Sequence, residues 1–228
     1  MIDVSIRRFA LRDDLDAALA ERLGRAMAAD ISCALMLSGG TTPGPAYAML
    51  AAHPPRAAPG LRILYSDDRY VPSSSDQSNY HLSQPLIGAL ALSERQVLRV
   101  PTELPLEIAA QAYEERLQAL LAEKIPLPLG LLGLGADGHT ASLFKSADLV
   151  AARGRLAIAV QRPDKRAGIS VTPDFLAQIE TILFVVAGAD KTPALKRLAA
   201  RDATLTAWRA VEKCKNIEVW ADAEAWTD

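Results

Sequence analysis

A histidine closes a glycine-rich run in the middle of the chain, and both its type and its setting suit acid–base chemistry. The run spans residues 133–140 and reads Gly-Leu-Gly-Ala-Asp-Gly-His-Thr. A neutral imidazole near pH 7 can take a proton from water, and Asp137 stands close enough to orient the ring of His139 or to organise the turn. The alternative is an Asp/Gly turn that leaves His139 in solvent. We keep that plain interpretation for His53, in a proline-rich loop, and for His81, on a predicted helix.

A second polar segment is suited to binding an anion. It follows the apolar run 33–37 and consists of Ser38, Gly39, Gly40, Thr41, Thr42 and Pro43. The glycines let the backbone approach a ligand, and the N–H groups of such a turn can point at an anion. Pro43 suits the start of a helix, whose N-terminus adds a partial positive charge. The segment predicts a phosphate site, with a tight turn capped by threonine as the alternative. It is not a Walker loop, because no Gly-Lys-Ser/Thr follows.

Two further charged segments follow predicted strands. Asp67 and Asp68 precede Arg69 directly after the apolar run 61–65, and adjacent buried carboxylates are costly unless they are paired. The guanidinium of Arg69 can bind an oxyanion or a phosphate through its forked N–H groups, or it can form a surface salt bridge with an aspartate. Lys191 stands in the predicted first turn of a helix, where its charge opposes the helix dipole. A lysine there is favoured if it faces an anion, and a solvated lysine is the alternative.

The elements that must position these segments follow a regular pattern. Short apolar runs predict buried strands at 4–9, 33–37, 61–65, 129–132, 156–160, 181–187 and 216–220. Apolar residues three or four apart predict amphipathic helices at 11–27 and 106–121. Strands that are apolar throughout and alternate with helices favour a parallel sheet covered on both faces. Ligands of such sheets bind beyond the carboxyl ends of the strands, so the polar segments can converge on one cleft.

The composition excludes several classes of protein. Half of the 228 residues are apolar and 23% are charged, which excludes a disordered or collagen-like chain. The net charge of −2 argues against a broadly basic nucleic-acid binder. The two cysteines, Cys33 and Cys214, argue against a disulfide scaffold or a zinc ribbon. No apolar run approaches the roughly 18 residues of a membrane span and the first residues lack the order of a signal peptide, so we expect a cytoplasmic protein. No repeat or linker divides the chain, so we expect residues 1–228 to form a single domain.

Together these segments resemble the 6-phosphogluconolactonase family, which shares its fold with the glucosamine-6-phosphate deaminases. The resemblance runs from end to end and is most specific at 135–144, which reads Gly-Ala-Asp-Gly-His-Thr-Ala-Ser-Leu-Phe. The other matching stretches are 38–43, 67–72, 78–80, 188–191 and 220–225. The resemblance implies a single-domain, Rossmann-like α/β fold with a mostly parallel sheet and helices on both faces.

The family implies hydrolysis of 6-phospho-D-glucono-1,5-lactone to 6-phosphogluconate in the pentose phosphate pathway, without a metal or an organic cofactor. On the matching residues, His139 is the general base that activates water, Asp137 supports it, and Arg69 binds phosphate or stabilises developing negative charge. We expect the other contacts to substrate and phosphate from Ser38, Gly39, Gly40, Thr41, Thr42, Asp67, Asn79 and Lys191. The implied partner is a small-molecule sugar-phosphate lactone. We expect no nucleic acid and no membrane as partners, and a monomer or a weak homo-oligomer.

Three positions depart from the usual pattern of the family. Asp68 stands where glutamate is usual, and Lys145 stands where proline is usual. Gly168 stands where arginine is usual, with Arg166 two residues earlier. The phosphate site is therefore expected either to use Lys165 or Arg166 from a shifted loop or to lack one positive contact.

Three other functions remain open. A sugar-phosphate deaminase or isomerase on the same fold needs extra acid–base groups, and such relatives carry a carboxylate shortly after the histidine, whereas this chain has none between His139 and Asp148. A catalytically silent sugar-phosphate-binding module is disfavoured by the presence of both Asp137 and His139. An NAD-dependent oxidoreductase rests on the G-x-G-x-x-G pattern at 133–138. That pattern lies in the middle of the chain, and no acid follows at the usual spacing of about 20 residues.

Overall fold

The computed structural model describes residues 3–29 and 31–226, and this part of the chain forms ten strands and eight α-helices. The strands are β1 (Asp3–Phe9), β2 (Ala34–Leu37), β3 (Arg62–Tyr65), β4 (Asp67–Arg69), β5 (Val97–Leu98), β6 (Leu129–Leu132), β7 (Ala157–Gln161), β8 (Ala167–Val171), β9 (Thr181–Val186) and β10 (Asn216–Asp222). The helices are α1 (Arg12–Met27), α2 (Gly44–Ala52), α3 (Asn79–Ala89), α4 (Leu106–Ala122), α5 (Ser146–Ala151), α6 (Pro173–Leu176), α7 (Thr192–Ala199) and α8 (Thr206–Val211). None of the described helices is both long enough and apolar enough to cross a membrane.

Seven strands form one sheet in the order β1-β10-β9-β6-β2-β3-β5, and every neighbouring pair is parallel. The central strands β2, β6 and β9 are buried along their whole length. Strands covered on both faces read as continuous apolar runs, which is why the sequence predicted them. The expected α/β class with a mostly parallel sheet is confirmed.

Successive residues of each strand face two hydrophobic cores, one on each side of the sheet. Leu35 and Leu37 of β2 pack with residues of α1, α2 and α3, whereas Ala34 and Met36 pack with residues of α4, α6, α7 and α8. The helices therefore cover both faces, as expected. Burying one such leucine stabilises the fold by roughly 1.5–3 kcal/mol. The predicted stripe of α1 is correct apart from its first member, because Leu11 precedes the helix and is 63% exposed.

A second sheet of three antiparallel strands, in the order β4-β8-β7, was not predicted. The predicted strand at 156–160 exists as β7, but it pairs with β8 and does not join the parallel sheet. Strand β4 consists of Asp67, Asp68 and Arg69, and three charged residues give no apolar signal. This small sheet matters for the site because it places Asp67 opposite Ser170 of β8 and Arg69 opposite Gly168 of β8.

The order of the strands places a crevice between β2 and β6. On one side of this crevice β2 is followed in the sheet by β3, and on the other side β6 is followed by β9. In an open parallel sheet, ligands bind at such a switch point, outside the carboxyl ends of the strands. The segments that begin at Ser38 and at Gly133 leave these two strand ends.

Candidate active site

The polar segments converge on one cleft of about 280 Å³ at the carboxyl ends of the strands. Its lining includes every residue that the sequence assigned to the site except Asp137: Ser38, Gly39, Gly40, Thr41, Thr42, Asp67, Arg69, Asn79, His139 and Lys191. Asp137 lies behind His139 and contacts its ring. A larger hollow of about 430 Å³ beside α4 and β5 contains no histidine, so size alone does not locate the chemistry.

The turn after β6 holds the imidazole of His139 in a defined orientation. Its Nδ1 lies 2.5 Å from Oδ1 of Asp137, which also accepts the backbone N–H of His139 at 3.2 Å. A carboxylate accepts only, so this contact places the ring proton on Nδ1 and leaves Nε2 as the basic nitrogen. Burial alone would raise the pKa of Asp137, but the hydrogen bonds and charge of His139 outweigh it and hold that pKa below its ordinary value. The pair is built as a base with its orienting carboxylate.

Two glycines of this turn make room for neighbouring side chains. A Cβ atom on Gly135 would lie 2.1 Å from Nδ1 of His139, so the ring occupies the space of that missing side chain. Gly138 has a φ of +87°, and a Cβ atom there would meet Leu205 at 2.3 Å. Of the fingerprint glycines, Gly135 thus serves the packing of His139, and Gly138 serves the packing of the turn on Leu205. A dinucleotide fingerprint opens directly into a helix, whereas here the next helix begins only at Ser146.

The segment after β2 forms an open turn before α2. Tyr47 fixes its start, because the hydroxyl donates to the carbonyl of Ser38 at 2.8 Å and accepts the backbone N–H of the same residue. Gly40 has a φ of +87°, a conformation that favours glycine. Arg12 donates to the carbonyl of Thr42 at 2.7 Å and so holds the far end of the turn. Such a turn at a helix N-terminus suits an anion. Pro43 precedes the helix, which begins at Gly44.

Asn79 links Asp67 and Arg69, two residues of β4 that line the cleft. Its Nδ2 donates to the backbone carbonyl of Asp67 at 2.8 Å, and its Oδ1 accepts Nη1 of Arg69 at 2.7 Å. Nη1 of Arg69 also donates to the carbonyl of Gln77 at 3.0 Å. Among the described residues, no ion pair joins Arg69 to an aspartate, so the surface salt bridge considered for this segment is not formed. The guanidinium is held by neutral acceptors and keeps its charge for the cleft.

Comparison with known proteins agrees with this geometry. Residues 7–220 match the family model described as glucosamine-6-phosphate isomerases/6-phosphogluconolactonase. The chain belongs to this family. A 6-phosphogluconolactonase of Homo sapiens is 33% identical over 210 residues, which cover 83% of this chain and 79% of the relative. One of Nostoc sp. is 33% identical over 177 residues, covering 74% and 72%. The crystal structure of 6-phosphogluconolactonase from Thermotoga maritima is 26% identical, with a TM-score of 0.80 over 96% of this chain and 99% of that one.

Lys191 reaches the cleft of this glucosamine-6-phosphate isomerase/6-phosphogluconolactonase family member from the opposite side. It ends a short 3₁₀ turn and stands just before α7, where the sequence placed it in the first turn of a helix. Asp222 holds this loop by accepting the backbone N–H of Gly188 at 3.1 Å. Nζ of Lys191 lies 3.0 Å from Asp190, and the side chain of Lys191 is only a quarter exposed. Lys191 therefore supplies a positive charge to the cleft.

Asp68 supports the site from below, a role the sequence did not indicate. It is 2% exposed and accepts the hydroxyl of Ser78 and the backbone N–H groups of Arg69, Asn79 and Tyr80. The carboxylate thus caps the start of α3 and holds the backbone of Arg69 and Asn79 in place. Burial raises the pKa of Asp68 to about 6, against the lowering effect of its hydrogen bonds.

Arg162 and Ser142 also belong to this site, and sequence reasoning missed both roles. Arg162 lines the cleft, and its Nη1 donates to Oγ of Ser142 at 3.1 Å. Ser142 in turn donates to Oδ2 of Asp67 at 2.6 Å. Arg162 follows the antiparallel strand β7, and only the pairing of β7 with β8 brings it back to the cleft. Among the described residues, no three histidine, cysteine or carboxylate side chains lie close enough together to hold a metal ion.

Proposed function

We propose that this protein hydrolyses 6-phospho-D-glucono-1,5-lactone to 6-phosphogluconate, the step that belongs to the oxidative branch of the pentose phosphate pathway. The observation that carries the proposal is the 2.5 Å contact between Asp137 and His139 at the edge of a cleft lined by cations. The family supports it, because the relatives from Homo sapiens, Nostoc sp. and Thermotoga maritima are named 6-phosphogluconolactonases. The chemistry supports it too, because a lactone is an activated ester.

In the proposed step, His139 acts as general base. Its Nε2 takes a proton from water while the water oxygen bonds to the lactone carbonyl carbon. Asp137 keeps the ring in the required tautomer and stabilises the imidazolium that forms. The tetrahedral intermediate then breaks its bond to the ring oxygen, which receives the proton from His139 to become a hydroxyl. The product is the open acid, and the step uses neither a metal nor an organic cofactor.

The cations of the cleft act on two negative charges. Arg69, oriented by Asn79, stabilises the oxyanion that develops on the carbonyl oxygen. The turn at Gly39–Thr42 and Lys191 hold the phosphate, whose binding energy fixes the sugar ring relative to the base. Asp67, bonded by Ser142, shapes the floor of the cleft.

The deaminase alternative needs another acid near the histidine. The first carboxylate after His139 is Asp148, and it is buried. Its Oδ2 accepts the backbone N–H groups of Phe144 and Lys145 at 2.9 and 3.0 Å. Because Asp148 is engaged at the start of α5, it is not available for proton transfer in the cleft. This arrangement favours the lactonase.

We also propose that residues 1–228 act as a single domain, as a monomer or a weak homo-oligomer in the cytoplasm. The proposed partner is the sugar-phosphate lactone alone, without nucleic acid or membrane. The net charge of −2 supports the absence of nucleic acid among the partners. Light scattering on the purified chain over a concentration series would test the oligomeric state, and a stable tetramer would contradict it.

The decisive assay follows acid release from 6-phosphogluconolactone generated in situ, at mildly acidic pH to slow spontaneous hydrolysis. We expect the protein to accelerate the reaction over a control without enzyme. Glucosamine 6-phosphate, tested in parallel for ammonia release, is expected to be inert. Ammonia release without lactone hydrolysis would establish the deaminase, and binding of sugar phosphate without either reaction would establish the silent module.

A further inference from the structure

Arg162 reaches the cleft from an unexpected direction. It follows β7, and the hairpin to β8 closes through hydrogen bonds between Arg162 and Arg166 and between Lys165 and Arg162. The residues of that turn point to solvent, and the side chain of Arg166 is 56% exposed. The side chain of Arg162 is only 16% exposed. It lines the cleft together with Gly40 and Thr41 of the turn after β2.

A chain of contacts fixes the guanidinium of Arg162. Its Nη1 donates to Ser142, which donates to Asp67. Its charged carbon lies 5.2 Å from the centre of the Phe144 ring, and that ring packs against His139 at 4.4 Å. Among the described residues, the guanidinium makes one hydrogen bond, and its Nε lies 3.8 Å from Oδ1 of Asp164. Arginine has five N–H donors, so donors remain for a ligand.

Gly168 makes this position of Arg162 possible. It lies on β8, opposite Val160 of β7 and opposite Arg69 of β4. A Cβ atom on Gly168 would lie 3.2 Å from the backbone carbonyl oxygen of Asp68, 3.5 Å from Cδ of Arg162 and 3.6 Å from Oγ of Ser142. Any longer side chain at 168 would therefore compete with Arg162 for the same space. Strand β8 has no side chain in this space, and the side chain of Arg162, which follows β7, lies there instead.

The hollows around Arg162 indicate which end of a substrate it meets. A second hollow of about 410 Å³ adjoins the cleft, and five residues line both: Gly40, Thr41, Arg69, Asn79 and Arg162. His139 and Gly135 line only the inner cleft. Arg162 therefore stands where the two hollows meet, beside the turn suited to an anion. A planar guanidinium binds a phosphate through two parallel hydrogen bonds.

We propose that Arg162 is a substrate-binding residue that holds the phosphate group together with the backbone of Gly40 and Thr41, and that Gly168 is needed to let it do so. This inference rests on the proposed function for the identity of the substrate. It assigns the extra positive contact to Arg162, where the sequence left the choice between Lys165, Arg166 and none.

The first test compares Arg162→Gln with Arg166→Gln, a matched change in the same hairpin on a side chain already bonded to Asp164. Calorimetric titration with 6-phosphogluconate is expected to show a Kd that is about 10- to 100-fold higher in Arg162→Gln, the loss expected for a charged hydrogen bond. Arg166→Gln is expected to stay within about threefold of the wild type. In the lactone assay, Arg162→Gln is expected to raise KM by a similar factor and to change kcat by less than about threefold.

Other outcomes are unambiguous. Unchanged binding of 6-phosphogluconate in Arg162→Gln overturns the proposal, and so does a loss that falls on kcat with KM unchanged. A wild type that binds 6-phosphogluconate but hydrolyses no lactone overturns the proposed function and leaves the binding test of Arg162 intact. If Arg162→Gln fails to fold, Arg162→Lys carries the test, because lysine keeps the charge and loses the fork. It is expected to raise Kd by about three- to tenfold, and unchanged Kd there overturns the proposal.

A relocation variant tests the role of Gly168. The double change Arg162→Ala with Gly168→Arg moves the guanidinium to the neighbouring strand, into space that Arg162 has vacated. We expect the double variant to recover at least about a tenth of the affinity for 6-phosphogluconate that Arg162→Ala loses. Gly168→Arg alone is expected to weaken the binding of 6-phosphogluconate, because it crowds Arg162. A Gly168→Arg variant that binds 6-phosphogluconate like the wild type would overturn the assignment of that space to Arg162.

Discussion

The two halves of the cleft are built in different ways. The histidine turn, residues 133–139, brings base, orienting carboxylate and supporting glycines together within seven consecutive positions. The Asn79 network, defined as Asp67, Asp68, Arg69 and Asn79, joins a three-residue strand to the start of a helix ten positions later. The turn is held by short-range contacts such as the bond from Gly135 N–H to the carbonyl of His139. The network is held by buried bonds between separate elements.

This difference separates what each half contributes. The histidine turn carries the proton transfer, so damage to it is expected to appear in kcat. The Asn79 network places Arg69, so damage to it is expected to be smaller and to include the stability of the fold. Substitutions of the same size in the two halves therefore test whether chemistry and positioning are divided in this way.

The largest effect is expected from His139→Ala. Loss of the base should lower kcat by about 10³-fold, because a positioned general base contributes about 10²–10⁴-fold. Binding of 6-phosphogluconate, measured by calorimetry, should change little. His53→Ala, on an exposed histidine outside the cleft, is the matched control and should leave the rate unchanged. A His139→Ala enzyme with a near-normal rate would mean that another group activates the water.

A change on the neighbouring backbone should reproduce most of that loss. A methyl group in Gly135→Ala would lie 2.1 Å from Nδ1 of His139, so the ring must leave Asp137. We expect kcat to fall by about 100-fold, the cost of misplacing a catalytic group by about 1 Å. Gly88→Ala, on α3 and outside the cleft, is the control, since a Cβ atom there meets no atom within 4 Å. Equal rates for the two variants would show that the ring does not depend on Gly135.

The same difference explains what the sequence could predict. The histidine turn was identified because its members are adjacent in the chain, and the parallel strands were identified because they are apolar throughout. Arg162 was missed because its approach depends on the pairing of β7 with β8, which no periodicity reveals. Asp68 was noted as a carboxylate costly to bury without a partner and as a departure from the family, but its partners were not identified, because its four hydrogen bonds come from residues up to twelve positions away.

Glu114 on α4 shows the same limit. It is followed by Glu115 and Arg116, a charged run typical of an exposed helix face, but the residue is 6% exposed. It accepts Nε of Arg155 and the backbone N–H of Leu156, both at 2.7 Å. A carboxylate becomes buried when a distant partner compensates it, and helical periodicity contains no information on that partner.

A change that displaces the centre of the Asn79 network, Gly39→Ala in the neighbouring turn, should have an intermediate effect. A Cβ atom on Gly39 would lie 1.7 Å from Oδ1 of Asn79, an amide fixed by its bonds to Asp67 and Arg69. Moving that amide releases Arg69, and we expect kcat/KM to fall about tenfold, the cost of one hydrogen bond to a charged group. Gly44→Ala is the control, because its Cβ atom would meet Leu82 at an ordinary 3.6 Å. A loss as large as that of Gly135→Ala would erase the distinction between the two halves.

The smallest expected effect is on how the free energy of unfolding depends on pH. This dependence has opposite signs for Asp68 of the Asn79 network and Asp137 of the histidine turn. The pKa of Asp68 is raised by burial to about 6, so the fold binds a proton there that the unfolded chain, with a pKa near 3.8, does not bind. The stability that this proton confers is fully present below about pH 4 and is lost as pH rises through about 6. For Asp137 the pKa is lowered, so its contribution is present above 3.8 and is lost as pH falls through the lower folded value. Urea unfolding from pH 4 to 7 should show the wild type losing on the order of 2 kcal/mol relative to Asp68→Asn as pH rises. The same comparison with Asp137→Asn should not show that loss, and parallel profiles for wild type and Asp68→Asn would mean that the buried carboxyl stays ionised throughout.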